Sequence, residues 1–423
     1  MANLVSRVTG PFTTAGTWFT VESVSELDSE AGTIIVSTSN LDSSTFVLTA
    51  TAIDGVALKL NARAASPTGT LTVSIRNSTS PGTRDGSVTV NISDLPSAGM
   101  GWVFFKISTF TPNGSDSYVI RCVTSNTGSQ VTLYRSTASA NNFSRKICTQ
   151  TTQAPASGNH LVICGELTGA GTGNNITVTM DNTATTSFGP TVIGGPNQGI
   201  VVSKRGILTW GVVASTAYYL KWKGPFLVCG DGIVNCGTSG ARMPSSSSAV
   251  FEMDSVTNLD TYVIVDKSGT FNCYGATKVG LTTLTANAAA AATALTVGDT
   301  TGWQVSDKLA FTPTGSSDTE YETKNVGSIG GGTSVTLSAG LTNAHSGTAP
   351  TAGYILNLTR NIVFRGISTS LRGNYRHRPS AGATTYMEYV EFTLDKLGLN
   401  STNQHCIDLQ PIAGAPCTIK YST

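Results

Sequence analysis

Two stretches of this chain echo one another: Val228-Cys-Gly-Asp-Gly-Ile-Val-Asn-Cys-Gly237 and Val265-Asp-Lys-Ser-Gly-Thr-Phe-Asn-Cys-Tyr-Gly275. Aligning Gly232 with Gly269 places Asn235 on Asn272 and Cys236 on Cys273. Short strands that end in glycine and recur in step suit the successive turns of a solenoid, because each turn buries its apolar face only against its neighbours. Side chains alternate across a strand, so Val234 and Cys236 share one face, Ile233 and Asn235 the other, and Phe271 and Cys273 repeat the first pair. The cysteines then face inward one turn apart, at the roughly 4.8 Å spacing of neighbouring strands. A disulfide is within reach, but two buried thiols behaving as small apolar side chains are preferred. Further turns are expected over residues 207–210, 219–222, 251–254, 335–338, 355–360, 362–366, 387–392 and 406–409.

The earlier part of the chain has a different texture. Apolar runs over 32–37, 46–52, 69–75 and 86–92 alternate with Gly, Pro, Asn and Ser turns, which is the spacing of a β-sandwich. Residues 102–107 and 118–123 are rich in β-branched and aromatic side chains, which favour a half-buried pleated surface. Pro112-Asn-Gly-Ser-Asp116 between them is turn chemistry, and predicts that the two strands pair antiparallel. Pro155, Gly158 and Gly169-Ala-Gly-Thr-Gly173 mark a boundary. The expected chain is therefore all-β: a jelly-roll-like β-sandwich over 1–165, then a right-handed parallel β-helix over 166–423. The alanine tract Asn287 to Ala294 reads as an edge loop or one short turn of helix. The last segment, 407–423, reads as strand without a polar cap, so a partner chain or further polypeptide is expected to cover it.

Composition narrows the function. Charged residues are 12% of the chain, about half the usual roughly 25%. With 26 Lys plus Arg against 25 Asp plus Glu, no long-range field exists to gather phosphate backbones or anionic lipids, so no nucleic-acid partner is expected. No window approaches the roughly 18 apolar residues of a membrane span, and the start, Met1-Ala-Asn-Leu-Val-Ser, lacks the apolar run of a secretory leader. Membrane insertion and a Sec-type signal are not expected. Eight cysteines without a CxxC pair support neither a disulfide scaffold nor a zinc clamp, and no cofactor is expected.

From Thr282 to Gly366 the chain carries Leu295-Thr-Val-Gly-Asp299, Gly302-Trp-Gln-Val-Ser-Asp307, Glu320-Tyr-Glu322, Leu341 with His345, and Leu358-Thr-Arg-Asn-Ile362 before Arg365-Gly366. This pattern resembles the eight-glycine extracellular β-domain family, over about residues 200–366, with Ser306 in place of the usual glycine. The resemblance implies β-strand coils leading into a right-handed parallel β-helix, in proteins that bind or degrade extracellular polysaccharide. A Ser/Thr/Gly-rich sandwich ahead of such a solenoid also resembles bacteriophage tail-fibre, tailspike and other virion surface proteins. The implied role is a structural component of a virion surface, homo-oligomeric and trimer-like, meeting other virion proteins and contacting host surface polysaccharide. The alternatives are a secreted polysaccharide hydrolase or lyase, and a bacterial adhesin or glycan-binding module.

No catalytic or metal-binding residue is assigned. Glycan cleavage needs two carboxyl groups across a sugar. Glu320 and Glu322 would share a strand face and Glu388 and Glu391 would not, yet a solvated acidic face is the plainer reading of the first pair. Asp254, Asp260 and Asp266 read as turn caps, and the calcium-loop patterns are missing. His160, His345, His377 and His405 are scattered, and His345 reads as a turn-stabilising group. Trp210, Tyr218, Tyr219 and Trp222 form the densest aromatic cluster, with Tyr219 and Lys221 facing away from Tyr218, Leu220 and Trp222. Core is the plainer reading for one face of it. Arg372-Gly-Asn-Tyr-Arg-His-Arg378 reads as an exposed loop.

Overall fold

The computed structural model describes residues 3–21, 32–49, 52–79, 85–96, 101–127, 131–135, 144–157, 159–181, 193, 199–255, 261–315, 317–378, 382–393, 397, 407–410 and 416–423. Among them regular structure is β-strand, broken only by short 3-10 turns. The chain is all-β, as its alternating apolar runs require.

Three parallel sheets are visited in rotation. The first contains Asn3–Ser6, His160–Ile163, Ile200–Val202, Pro225–Val228, Tyr262–Val265, Asn374–His377 and Ile407–Leu409. The second contains Gly10–Pro11, Ile176–Met180, Gly206–Trp210, Ile233–Cys236, Thr270–Tyr274, Thr384–Glu388 and Cys417–Lys420. The third contains Ala217–Trp222, Ser248–Met253, Ile362–Gly366 and Val390–Phe392. Each circuit of the chain adds a strand to each sheet in turn, so like positions stack in columns.

Inward columns form one shared core. In the second sheet Met180, Trp210, Cys236, Cys273, Met387 and Ile419 are in register. Cys236 and Cys273 are adjacent free thiols, as the echo in the sequence predicts. In the third sheet Leu220, Phe251, Phe364 and Phe392 are in register. Phe251 and Phe364 stack at 4.4 Å with an interplanar angle of 8°, and Phe364 and Phe392 at 5.5 Å and 21°. The repeated glycines have a steric cause. A Cβ on Gly232 would meet the Val202 carbonyl oxygen at 2.3 Å, and one on Gly269 the Val228 oxygen at 2.1 Å. The backbone of the preceding circuit passes too close for any side chain.

The sandwich consists of two antiparallel layers. Gly32–Val36, Ile53–Arg63, Gly101–Phe110 and Val131–Arg135 lie in one; Leu41–Asp42, Phe46–Val47, Thr70–Asn77, Gly86–Asn91 and Ser117–Thr124 lie in the other. Val56, Leu58, Val103 and Phe105 meet Leu71, Val73, Ile75 and Ile120 between them. The antiparallel pair expected from 102–107 and 118–123 is not formed. Gly101–Phe110 is flanked by Ile53–Arg63 and Glu166–Gly169, so both its edges are filled, and the turn at 112–116 carries the chain across to the opposite layer. Strands also cross the limit expected near residue 165. Asn3–Ser6 pairs with His160–Ile163, Gly10–Pro11 with Ile176–Met180, and Glu166–Gly169 with Gly101–Phe110.

A second correction concerns 335–338 and 355–360, expected as further turns of the stack. They belong to an insert between Thr270–Tyr274 and Ile362–Gly366. It is an antiparallel sheet of Leu281–Thr283, Tyr354–Asn357, Lys308–Phe311, Glu322–Ile329, Ser334–Leu337 and Ala294–Thr296, with a core of Leu284, Trp303, Leu309, Phe311, Val335, Leu337 and Ile355. Period-two alternation is common to parallel and antiparallel strands, and so could not tell them apart. The alanine tract lies in this insert as a loop with a bridge from Ala288 to His345.

Candidate functional site

The outer side of the first parallel sheet is covered over its earlier strands, through Cys229. Val5, Val162, Cys164, Val201 and Cys229 pack against Phe19, Ala57, Trp102, Phe104 and Cys148 of the sandwich and its neighbouring strands. The outer sides of the second and third sheets carry polar ladders. Thr209, Asn235, Asn272, Tyr386 and Thr418 stand in one column of the second sheet, where Asn272 Nδ2 donates to Asn235 Oδ1 at 2.9 Å.

On the third sheet Tyr218, Leu220 and Trp222 are in the core, so strand alternation turns Tyr219 and Lys221 outward, as expected. Lys221, Glu252 and Arg365 are in register. Glu252 accepts from Tyr219 Oη at 2.6 Å and Arg365 Nε at 2.8 Å, and lies 3.5 Å from Lys221 Nζ. Burial works to raise the Glu252 carboxyl, but Tyr219, Arg365 and Lys221 outweigh it and hold it below the usual carboxylate range. Burial, then Glu252, pushes the Tyr219 phenol up. Glu252 is therefore favoured in its anionic form and Tyr219 in its protonated form.

The corner between the second and third sheets is the most elaborated part of the stack. One circuit crosses it through the loop 237–247, the next through the insert, and the next through Tyr389 alone. The Arg242 guanidinium pairs with the Glu388 carboxylate and lies 5.4 Å from the ring centres of both Tyr274 and Tyr389. Tyr389 and Tyr421 occupy equivalent corners of successive circuits. Both have left-handed backbones, with φ of 57° and 52°, and their rings stack at 5.0 Å and 21°. Sequence reading missed this group, because Arg242 and Tyr389 are far apart in the chain and neither belongs to a spaced motif.

Among the described residues, cavities lie in and beside the insert. One of about 480 Å³ lies in the seam with the stack, among Ser245–Ser248, Lys278, Asp307 and Arg360. Another of about 470 Å³ is bordered by Asn287, Thr314, Glu320 and His345. A third of about 320 Å³ is bordered by Lys308, Glu391, Phe392 and Thr423. Each lining holds one carboxylate: Asp307, Glu320 and Glu391 respectively. Asp307 is held by Lys278 Nζ at 2.7 and 2.8 Å and by Asn357 Nδ2 at 2.8 Å. Burial raises the Glu391 carboxyl against the opposing pull of the Arg360 amide and guanidinium. Glycan hydrolysis by paired carboxyls needs two within about 5 to 9.5 Å across one sugar, and none of these three cavities supplies both.

The remaining candidates are dispersed. Glu320 ends the 3-10 turn Asp318–Glu320 and accepts from the amides of Thr314 and Gly315. Glu322 begins the next strand, so the two do not share a strand face as expected. His345 is buried with Nε2 3.0 Å from Glu322 Oε1 and Nδ1 3.1 Å from the Thr312 carbonyl oxygen, and it anchors the turn that was anticipated. Burial would raise Glu322, but the amides of Thr342 and Asn343, then His345 and Lys324, bring it down to about 2. His377 is a core residue 3.0 Å from Thr385 Oγ1, and His160 is buried. Glu388 and Glu391 fall on different sheets. Asp254 lies 3.7 and 3.9 Å from Lys221 and Lys223, Asp266 accepts the Gly269 amide through its backbone oxygen, and Arg376 covers the Tyr262 ring at 5.0 Å. Asp260 and His405 lie outside the described residues. Among those residues no group of three or more His, Cys, Asp or Glu is placed to hold a metal, and no helix is long and apolar enough to cross a membrane.

The recognisable pattern of the insert does structural work. Ser306 has φ of 73°, a left-handed backbone that glycine adopts without strain. Trp303 Nε1 donates to the Val279 carbonyl at 2.7 Å. Asn361 Nδ2 donates to the carbonyls of Pro244 and Ser247, and its Oδ1 accepts from Ala276, all at 2.9 Å. Arg360 donates to the carbonyls of Asn357, Thr359 and Tyr421.

Fold and surface together define an all-β protein with a stacked parallel body, a sandwich and an antiparallel insert. No family model and no curated protein matches the sequence. Among solved structures it is similar to the Gp54 tailspike of Acinetobacter baumannii bacteriophage AP22 in complex with A. baumannii capsular saccharide, with 14% identity and a TM-score of 0.17, over 44% of this chain and 31% of the tailspike.

Proposed function

We propose that the protein is a virion surface component, a tail fibre, tailspike or similar appendage, that contacts host surface glycans. The observation that supports this reading is the outer faces of the second and third sheets, which among the described residues carry amides, hydroxyls and internally paired charges. Polyhydroxylated ligands are recognised by such hydrogen-bonding groups together with aromatic faces, and a low net field leaves recognition to short-range contacts. On this reading the stack is a right-handed parallel β-helix over residues 166–423, interrupted by the antiparallel insert, and the sandwich occupies 1–165, with residues 3–6, 10–11 and 160–163 crossing that limit to join the stack. Its partners are copies of itself, in a trimer-like homo-oligomer, and other virion proteins. It works outside the host cell.

The test uses the purified full chain with encapsulated bacteria, isogenic acapsular cells, and the isolated polysaccharide. Saturable binding that follows the polysaccharide, without release of reducing ends or unsaturated sugars, supports the reading. Release of either product replaces it with a hydrolase or lyase. Equal binding to both cell types overturns the glycan assignment.

A further inference from the structure

We infer that the cavity in the seam between the stack and the insert is a subsite for an acidic sugar unit, a uronate or another sugar that carries a carboxylate. The inference rests on the glycan-contact reading above and gives it a place and a sugar class.

Part of the lining is the serine run Ser245–Ser248, in the loop between the second and third sheets, and part is the insert turn Gln304-Val305-Ser306-Asp307. Lys278 and Arg360 join them where the insert leaves and rejoins the stack. At about 480 Å³ the cavity falls within the roughly 300–1,000 Å³ of small-molecule sites, which gather where two units of a fold meet.

The carboxylate in the lining is fully occupied. Asp307 accepts from Lys278 Nζ at 2.7 and 2.8 Å, and from Asn357 Nδ2 and the Gln304 amide at 2.8 Å each, which uses the roughly four lone pairs that a carboxylate offers. Arg360 is not fully occupied. Its side chain is buried, at 4% exposure. Nε donates to the Tyr421 carbonyl at 3.0 Å, and Nη1 to the Asn357 and Thr359 carbonyls at 2.8 and 2.9 Å, while among the described residues nothing accepts from Nη2. A buried donor without an acceptor is costly, and a carboxylate oxygen supplies that acceptor through a charge-assisted bond.

Charge balance gives the sign of the ligand. Within the lining, Lys278 and Arg360 face Asp307 alone. Beyond Thr359, which lines both cavities, lie Lys308 and Glu391. Glu391 accepts the Arg360 amide at 3.2 Å, and Lys308 adds a cation beside it. The two cavities together set three cations against two carboxylates, which favours an anion.

The rest of the lining suits a sugar. The side chains of Ser245, Ser248, Gln304 and Ser306 have no hydrogen-bond partner among the described residues, so hydroxyls and an amide that both donate and accept stay available to ligand hydroxyls. Val305, 61% exposed, offers an apolar contact for a C–H face. The lining is also braced. Asn361 Nδ2 donates to the Pro244 and Ser247 carbonyls at 2.9 Å, and Ser247 Oγ to the Val213 carbonyl at 2.6 Å, which leaves little ordering for binding to cost.

The experiment applies an array of uronate-containing oligosaccharides, their carboxyl-reduced counterparts and inorganic sulfate to the full chain and to three variants. Ser245→Asp and Gln304→Glu each add a carboxylate to the lining, and Tyr354→Ala is a control on the insert outside it. Ser245 is exposed, so Ser245→Asp should unfold at the wild-type temperature, which separates binding from folding. The expected result is that wild type and Tyr354→Ala bind the uronate oligosaccharides at least tenfold more tightly than the reduced forms, with binding weakened at least tenfold in Ser245→Asp and Gln304→Glu. Full binding in both lining variants overturns the site. Equal binding of uronate and reduced forms overturns the acidic class, and binding of sulfate without any saccharide overturns the sugar. If wild type binds no uronate oligosaccharide yet binds encapsulated and not acapsular cells, the subsite falls and the glycan-contact reading stands; if it binds neither, both fall.

Discussion

Asn361 offers the sharpest test of how the insert is fastened to the stack. One side chain spans three backbone segments: its amide nitrogen serves the carbonyls of Pro244 and Ser247, and its oxygen receives the Ala276 amide, each at 2.9 Å. A typical internal hydrogen bond contributes about 1 kcal/mol net, so Asn361→Ala is expected to cost about 3 kcal/mol. That corresponds to roughly a 100-fold shift in a local opening equilibrium. Asn361→Asp is expected to be worse than alanine, because it keeps one acceptor but turns the other oxygen onto two carbonyls and leaves a charge beside them. Hydrogen exchange is the assay. Protection should fall at Ala276, whose amide loses its acceptor in the alanine variant, and around 241–249, while the amides of Thr70–Asn77 in the sandwich should be unchanged. Equal stability of wild type and alanine variant, or an aspartate variant more stable than alanine, would refute the reasoning.

Ser306→Gly relieves the left-handed backbone at φ 73° and should stabilise the protein by about 1 kcal/mol; a lowered unfolding midpoint counts against it. Glu322 is depressed from 4.5 to about 2, so its contribution is present above about 4.5 and is lost as pH falls toward 2. Acid titration of wild type should therefore show a loss of stability in that window that Glu322→Gln lacks, with the variant already weaker at neutral pH. Phe364→Ala empties the middle of the aromatic column between Phe251 and Phe392, and should cost about 4 kcal/mol. In a stack with nearest-neighbour coupling, the lost exchange protection should concentrate in Ser248–Met253, Ile362–Gly366 and Val390–Phe392. A uniform loss that includes the sandwich would contradict that picture.

The stacked body was legible wherever one residue type carried two constraints. Gly232 and Gly269 recur because neighbouring backbone forbids a Cβ, and Cys236 and Cys273 because a small apolar side chain fits the same column. That coincidence gave the register directly. The insert was legible as a pattern but not as a topology, since Val335 and Ile355 alternate with their neighbours just as stack residues do. The strand at 101–110 misled for a related reason: a turn signal says where the chain reverses, not whether the next strand joins the same layer. The Arg242, Tyr274, Glu388 and Tyr389 corner left no trace, because its members come from three circuits whose spacing is set by an insert of unpredictable length.

Residues Asn3–Ser6 complete the first parallel sheet against His160–Ile163, and the Ser6 hydroxyl donates to the Cys164 carbonyl, 158 positions later in the chain, while accepting from the Cys164 amide. Asn3–Ser6 also pairs antiparallel with the nearby Trp18–Val21, so this strand has a local partner on one edge, while its other edge stays open until His160–Ile163 has been synthesised, on the order of ten seconds afterwards. Assembly acquires a direction from this. The sandwich folds as an excursion between two strands of one sheet: the pair of 3–6 with 18–21 presents an open edge, and His160–Ile163 closes on it before later circuits are laid down one upon another. A lesion in the sandwich would thus surface as a failure to start winding, even with every winding residue intact.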